Sequence, residues 1–350
     1  MEKIDSSKRT AYFDYLRVIA TFAVMVLHIS AHNWGKVDVT GHEWGVLNFA
    51  DSITRWAVPV FVMISGALFL EREITVKKLY SKYILRMACA FAFWSFVYAL
   101  YYHKSLFDFL KRIIKGNYHM WFVLMIIGIY MCIPFIKPIA ESMEKTRYFL
   151  ALSFAFAFFI PWIITILTDF GSDRLKSLAL VLNDTVDRMN MYFVLGYAGY
   201  FILGYYLNKV SLSKKTLILI CVLGGVTGFT FTICASLAAS VKTGAPCSNY
   251  YEYLSVNVLL EAMAVFLLFK HLRYGHEKLN AIISKMGRLS FGAYLVHPLI
   301  LDILDKYFGL NSLAFTPELS IICVALIAFV VSFAISCILS LIPVANRYIV

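Results

Sequence analysis

Long apolar runs separated by short polar breaks occupy almost the whole chain, and most runs approach the ~20 residues that a helix needs to cross a bilayer. The breaks carry charges and turn-forming residues, as in "EREITVKK" and "NKVSLSKK". The pattern predicts an all-α, polytopic membrane helical bundle, with 1–350 as a single domain. About ten transmembrane helices are expected, near 11–31, 46–70, 79–102, 119–140, 147–168, 190–208, 215–240, 253–271, 289–307 and 317–342.

Composition supports a membrane protein. The chain is 61% hydrophobic and 15% charged, with a mean hydropathy of +0.74, whereas soluble domains average about 45–50% apolar and about 25% charged residues. The N-terminal "MEKIDSSKRT" is polar, and the first apolar run lacks a small-residue cleavage site. That run is therefore expected to remain as the first span.

The formal net charge of +11 indicates topology rather than nucleic-acid binding, because Lys and Arg collect in the cytoplasmic loops of membrane proteins. With the N-terminus inside, the predicted inner segments hold about twice as many Lys and Arg as the outer loops. We expect a multi-pass protein of the cell inner (plasma) membrane with both termini cytoplasmic. The basic stretch "HKSLFDFLKRIIKGNYH" is outside by this count, and it either lies at the membrane surface or contacts an anionic substrate.

The seven cysteines form no CxxC pair, and most lie inside apolar runs. This spacing argues against a zinc site or a disulfide framework. We expect packing cysteines and no metal.

The first predicted span, "FDYLRVIATFAVMVLHIS", carries three ionisable residues, Asp14, Arg17 and His28. At 100° per residue, the eleven steps from Arg17 to His28 leave a net rotation of ~20°, and the two side chains are ~16 Å apart along the axis. All three residues fall on one helix face. Ionisable groups within spans usually line a cavity or a pathway, and an imidazole suits a general base near neutral pH.

Other predicted spans also carry polar and ionisable residues. Their number favours one shared polar cavity over several unrelated buried polar groups. These residues are Asp51 and Arg55 in the second span, Lys82 and Arg86 in the third, His119 and Trp121 at the start of the fourth, Glu261 in the eighth and His297 before Pro298 in the ninth. Gly224 and Gly228 form a GxxxG motif, for which close helix packing is the default interpretation.

Each of these residues also has a structural interpretation. Asp14 and Arg17 suit an i,i+3 ion pair at the inner interface. His28 alone could be a packing residue, and Glu261 is either an acid/base group or a buried partner of an arginine. His119 and Trp121 fit an aromatic belt as well as a substrate entrance. We expect His297 to bond a carbonyl freed by Pro298, and leave it out of the catalytic set.

Five segments in order resemble the acyltransferase-3 family of integral membrane O-acyltransferases. "DYLR" opens the Arg-X10-His signature of Arg17 and His28, and the others are "FVMISGALF", "HMWFVLMIIGIYMCIPFI", "MYFVLGYAGYFILGYYL" and "SFGAYLVHPLIL". The similarity spans roughly 10–340 and is closest in character to the enterobacterial common antigen O-acetyltransferase branch. One departure is "SKYILRM", where the family often has Arg-X-X-Arg and this chain has Lys82 and Arg86.

The resemblance implies an acyl-CoA donor, most commonly acetyl-CoA, with its phosphates near Arg17, Lys82 and Arg86. Asp14 would steady Arg17. His28 would act as general base on the hydroxyl of a cell-envelope glycan or lipid-linked sugar acceptor, with Asp51 or Arg55 beside it. His119, Trp121 and Glu261 are further candidate substrate-binding residues.

Two other functions fit the same pattern. A transporter for an amino acid or small molecule, of the type of the related serine-racemase membrane domains, would also need a polar cavity and intramembrane charges. A partner subunit that retains the fold without the chemistry is the second alternative.

Overall fold

The computed structural model describes residues 6–191 and 196–350, with side chains described from residue 11 onward, and all regular structure in this part of the chain is helical. The main helices are α1 (Ser6–Trp34), α2 (His42–Ser52), α3 (Ala57–Phe69), α4 (Val76–Tyr102), α5 (Leu106–Lys115), α6 (Trp121–Ala140), α7 (Met143–Phe170), α8 (Asp173–Arg188), α9 (Ala198–Lys209), α10 (Lys214–Thr243), α11 (Val256–His271), α12 (Glu277–Phe308), α13 (Pro317–Ser340) and α14 (Pro343–Tyr348). Short 3-10 turns at Tyr118–Met120 and Asn249–Tyr251 precede α6 and α11.

Within the described residues, eight helical stretches are long and apolar enough to cross a membrane. They are Ala11–Trp34, His42–Phe69, Val76–Tyr102, Leu106–Ala140, Met143–Phe170, Lys214–Thr243, Asn249–His271 and Pro317–Ser340. The predicted all-α polytopic bundle is confirmed. The remaining predicted spans differ: 289–307 lies inside the 32-residue α12, and 190–208 includes residues 192–195, which fall outside the described residues.

The second predicted span is two helices rather than one. α2 ends at Ser52 and α3 begins at Ala57, with a turn between them. Pro59 lies in the first turn of α3 and has no N–H to donate to the carbonyl of Arg55, so the helix cannot continue regularly through this point. The break places the Asp51–Arg55 pair beside non-helical backbone.

α1 and α12 run parallel, side by side, along most of their length. Three pairs in register show this: Tyr15 Oη donates to Asn280 at 3.0 Å, His28 stacks on His297, and His32 Nε2 lies 3.1 Å from Asp305. The polar face of α1 predicted from the sequence therefore meets α12.

α3 and α9 cross at very close range, and glycine permits it on both helices. A Cβ on Gly66 would lie 1.7 Å from the carbonyl oxygen of Phe201, and a Cβ on Gly204 would lie 2.0 Å from that of Met63. Small residues at such crossings let backbones approach within a membrane.

The GxxxG motif also packs closely, as predicted. A Cβ on Gly228 of α10 would lie 2.8 Å from the carbonyl oxygen of Asn257 on α11. This contact draws the two helices together at the level of the buried Glu261.

Candidate active site

A cavity of about 400 Å³ opens between α1, α3, α4, α6 and α12. Three arginines from three different helices line it: Arg17 of α1, Arg86 of α4 and Arg288 of α12. Tyr130 and Ser65 add hydroxyl groups to the wall. Concentrated guanidinium groups suit a ligand that carries phosphates.

Arg17 is held by the ion pair that its spacing predicts. Its Nη1 lies 2.9 Å from Oδ1 of Asp14, one helical turn earlier. Asp14 in turn packs against Gly287 of α12, where a Cβ would lie 2.7 Å from Oδ1 of Asp14. The glycine thus lets α12 approach the ion pair that positions Arg17 toward the cavity.

Arg86 connects the cavity to the C-terminal segment. Its Nη2 donates to the backbone oxygen of Val350 at 2.5 Å, and Asn346 of α14 lines the cavity. The N-terminal part of α1, which carries Arg17, and residues 343–350 therefore lie at the same end of the bundle.

Lys82 does not lie where the family resemblance implies, whereas Arg288, to which sequence reasoning assigned no role in the site, lines the cavity. Lys82 is exposed, its Nζ lies 5.7 Å from the centroid of the Tyr83 ring, and it does not line the cavity. Arg288 does line the cavity, and its Nη1 donates to Ser284 at 3.1 Å. The third cation thus comes from α12 and not from α4.

Aromatic rings close the apolar end of the cavity. Phe61, Phe122 and Tyr294 line it there, and the Phe122 and Tyr294 rings are 5.8 Å apart. The Tyr294 hydroxyl donates to the backbone carbonyl of His119. This hydrogen bond ties α12 to the turn that precedes α6.

Beyond Tyr294 lies a cluster of three histidines from three elements, His28, His119 and His297. The His28 and His297 rings are stacked, with centroids 5.1 Å apart and 29° between their planes. The His119 and His297 rings are 5.4 Å apart. His28 also contacts Tyr118 edge-on at 5.2 Å.

The three histidines differ in exposure. His119 and His297 are almost completely buried, whereas the side chain of His28 is partly exposed. His28 is not among the residues that line the arginine cavity, whereas Tyr294 both lines the cavity and contacts the His297 ring at 5.7 Å. The cavity and the histidine cluster therefore adjoin at Tyr294.

Asp51 and Arg55 form a buried ion pair with 2.5 Å between Oδ1 and Nη2. The Arg55 guanidinium lies over the Tyr251 ring, 4.1 Å from its centroid. Its charge interacts electrostatically with His28 and with Glu261. Arg55 therefore lies within electrostatic range of His28.

Trp121 and Glu261 lie at the edge of this region. Trp121 stacks on Tyr253 at 5.7 Å and contacts Tyr197 at 5.7 Å, so it belongs to a partly exposed aromatic group. Glu261 is fully buried, and its Oε1 accepts a hydrogen bond from Thr232 at 2.5 Å. Its direct partner among the described residues is thus a hydroxyl, although the charge of Arg55 is close.

Sequence reasoning missed Arg288 as a cavity residue and left His297 out of the reaction centre. The position of each residue along its predicted span could have indicated its depth in the membrane. Arg288 marks the inner edge of its span, and His297 follows nine residues later, ~14 Å along the helix. His28 lies ~16 Å from Arg17 by the same measure. Equal depth in two spans permits contact, but only the parallel packing of α1 and α12 establishes it.

A helical membrane bundle that holds an arginine-lined cavity beside a cluster of imidazoles has the parts that group transfer requires. A family model described as an acyltransferase domain matches residues 10–341, almost the whole chain. The chain therefore belongs to the acyltransferase-3 family and is a membrane acyltransferase. The comparisons with curated proteins and with solved structures gave no match.

Proposed function

We propose that the protein transfers an acyl group, most simply acetyl, from cytoplasmic acyl-CoA to a hydroxyl of a cell-envelope saccharide or lipid-linked sugar. The observation that carries this proposal is the pairing of two features on one helix. Arg17 lines a cavity with two further arginines, and His28 lies ~16 Å farther along α1 in the histidine cluster. In this account the basic end of the cavity faces the cytoplasm of the cell that bears the protein in its inner membrane.

The donor is bound by its phosphates. Arg17, Arg86 and Arg288 supply three positive charges around a space of about 400 Å³, and guanidinium groups form bidentate hydrogen bonds with phosphate oxygens. The pantetheine arm of the donor then extends along the cavity toward Phe122 and Tyr294. These rings must turn aside for the thioester to reach His28.

His28 acts as the general base. Its imidazole is partly exposed and makes no hydrogen bond within the described residues. It takes the proton of the acceptor hydroxyl as the oxygen attacks the thioester carbonyl. The new C–O bond forms, the C–S bond breaks, and the departing thiolate receives the proton from the imidazolium.

The Asp51–Arg55 pair supports this step from the side. Its buried guanidinium adds a positive charge near His28, which can stabilise the negative charge that develops on the carbonyl oxygen during attack. Asp51 fixes the guanidinium. Trp121 and its neighbouring tyrosines offer a partly exposed aromatic surface for the acceptor.

The test uses the purified full chain with acetyl-CoA as donor and an extract of cell-envelope saccharides as acceptor, and measures release of CoA and of acetylated product. Removal of a general base typically costs 10²–10⁴-fold in rate, so we predict a loss of that order for His28→Ala. His271→Ala is the matched control, since His271 lies on α11 and bonds its own helix carbonyl at Leu267. Mass spectrometry of envelope glycans from cells with and without the protein identifies the acceptor.

Full transfer activity in His28→Ala would contradict the assigned base. Uptake of a labelled amino acid by proteoliposomes, without any release of CoA, would favour the transporter.

A further inference from the structure

His297 is the buried residue nearest to the proposed base that the mechanism above does not use. It lies on α12, directly before Pro298, and its side chain is inaccessible to solvent. Its ring stacks on His28 at 5.1 Å and faces His119 at 5.4 Å. Because it has no access to substrate, any role that it has in the reaction must act through His28.

The orientation of the His297 ring is fixed by the backbone. Pro298 has no N–H, so the carbonyl of Tyr294, four residues earlier, loses its helical donor. His297 Nδ1 lies 2.5 Å from that carbonyl oxygen. A carbonyl only accepts, so Nδ1 carries the proton, and in the neutral ring Nε2 is then unprotonated.

Among the described residues, the Tyr294 carbonyl is the only hydrogen-bond partner of the His297 ring. Nε2 is buried and has no hydrogen-bond partner within the described part of the chain. Protonation would leave a buried Nε2–H donor without an acceptor, which disfavours the charged form, so the neutral ring, with one bond to the backbone, presents its flat face to His28. It adds no positive charge beside the imidazole that must accept a proton, which matters because neighbouring like charges oppose each other's protonation.

In the described part of the chain, no polar group orients His28 by a hydrogen bond. It makes no hydrogen bond within the described residues, and its ring contacts are His297 and Tyr118. General bases are usually oriented by a third group. We propose, on the basis of the acyltransferase function proposed above, that His297 is a positioning residue whose clamped, uncharged ring holds the His28 imidazole in its reactive orientation.

Three substitutions separate the ring stack from the carbonyl bond. His297→Ala removes both. His297→Phe keeps a flat, uncharged ring but loses the bond to the Tyr294 carbonyl. It loses no contact of Nε2, because that atom has no partner among the described residues. His297→Asn keeps a donor for the Tyr294 carbonyl but has no ring. If the ring stack positions His28, the Phe variant should have the kcat and the His28 labelling rate of wild type. The Asn and Ala variants should resemble each other in both quantities.

The first measurement is steady-state transfer from acetyl-CoA by the purified full chain. A misplacement near 1 Å can cost about 100-fold in rate, so kcat is expected to fall by about that factor in His297→Ala and His297→Asn. KM for acetyl-CoA should be unchanged, because donor binding takes place at the arginines. His297→Phe should restore most of kcat.

The second measurement needs no activity. Diethyl pyrocarbonate modifies accessible, unprotonated imidazoles, and peptide mass spectrometry reports the rate at His28. This rate should rise severalfold in His297→Ala and His297→Asn and stay at the wild-type value in His297→Phe. His271→Ala is the control.

The two measurements fail in different ways. If wild type does not consume acetyl-CoA, the proposed function is wrong, and the labelling still decides whether His297 holds His28. Recovery by Asn but not by Phe, or equal labelling of His28 in all variants, would overturn the positioning role.

Discussion

At the scale of single residues, the positive charge of the cavity depends on where three arginine guanidinium groups lie. The total number of basic residues in the sequence matters less. Arg17 is held by Asp14, Arg86 by the backbone of Val350, and Arg288 by Ser284. Each guanidinium is thus positioned by a different kind of partner. Pre-positioned charges lose less conformational entropy on binding a phosphate than free ones do.

This arrangement makes a prediction about donor binding. Arg288→Ala should weaken binding of acetyl-CoA by about tenfold or more, since hydrogen bonds to charged groups contribute about 1.5–3 kcal/mol. Lys82→Ala should change it little, because Lys82 lies outside the cavity lining, whereas Arg288, which is also exposed, belongs to it. Isothermal titration calorimetry in detergent compares the two. The reverse order would restore the role that the family pattern suggests for Lys82.

The residues that were hard to predict are those whose role depends on a second helix. The spacing of Asp14, Arg17 and His28 along one helix was enough to predict a shared face and the Asp14–Arg17 pair. Nothing local to α12 indicates that His297 stacks on His28. That contact requires α1 and α12 to be parallel and in register, which is decided by packing between distant segments.

At the scale of helices, the tight crossing of α3 and α9 is set by backbone-to-backbone contact. Gly66 and Gly204 face the carbonyls of Phe201 and Met63 with no room for a Cβ. α3 also carries Phe61, which lines the cavity. The position of the cavity wall therefore depends on this crossing.

Gly204→Ala should consequently destabilise the protein, because the added Cβ would overlap the Met63 carbonyl and force the helices apart. Gly128→Ala is the matched control, since Gly128 lies within the apolar α6 and a Cβ there meets nothing within 4 Å. Thermal unfolding in detergent should show a lower midpoint for Gly204→Ala and little change for Gly128→Ala. Equal midpoints would show that the crossing tolerates separation.

Hydropathy predicts the spans well because hydrocarbon requires long apolar helices whatever their neighbours are. It predicts the break between α2 and α3 less well, because the composition of 46–70 is continuous across it. The relevant signals were local: Pro59 and the Asp51–Arg55 pair. Pro59 leaves a backbone carbonyl without its helical donor, and the buried charges of Asp51 and Arg55 must pair with each other.

At the scale of the whole molecule, the proposed function requires a path from the arginine cavity past Tyr294 to the histidine cluster. The arginine cavity lies on one side of Tyr294, and the histidine cluster lies on the other. The hydrogen bond from the Tyr294 hydroxyl to the His119 carbonyl holds the Tyr294 ring between them. Under the proposed function, the acyl thioester must pass this point while the donor phosphates remain at the arginines.

The most direct test is the structure of the full chain in a lipid nanodisc with acetyl-CoA, determined by cryo-electron microscopy with His28→Asn to preserve the thioester. We predict that the donor phosphates contact Arg17, Arg86 and Arg288. The acetyl thioester should lie past a displaced Tyr294, beside residue 28. A donor bound away from these arginines, or with its thioester directed away from the histidine cluster, would contradict the account.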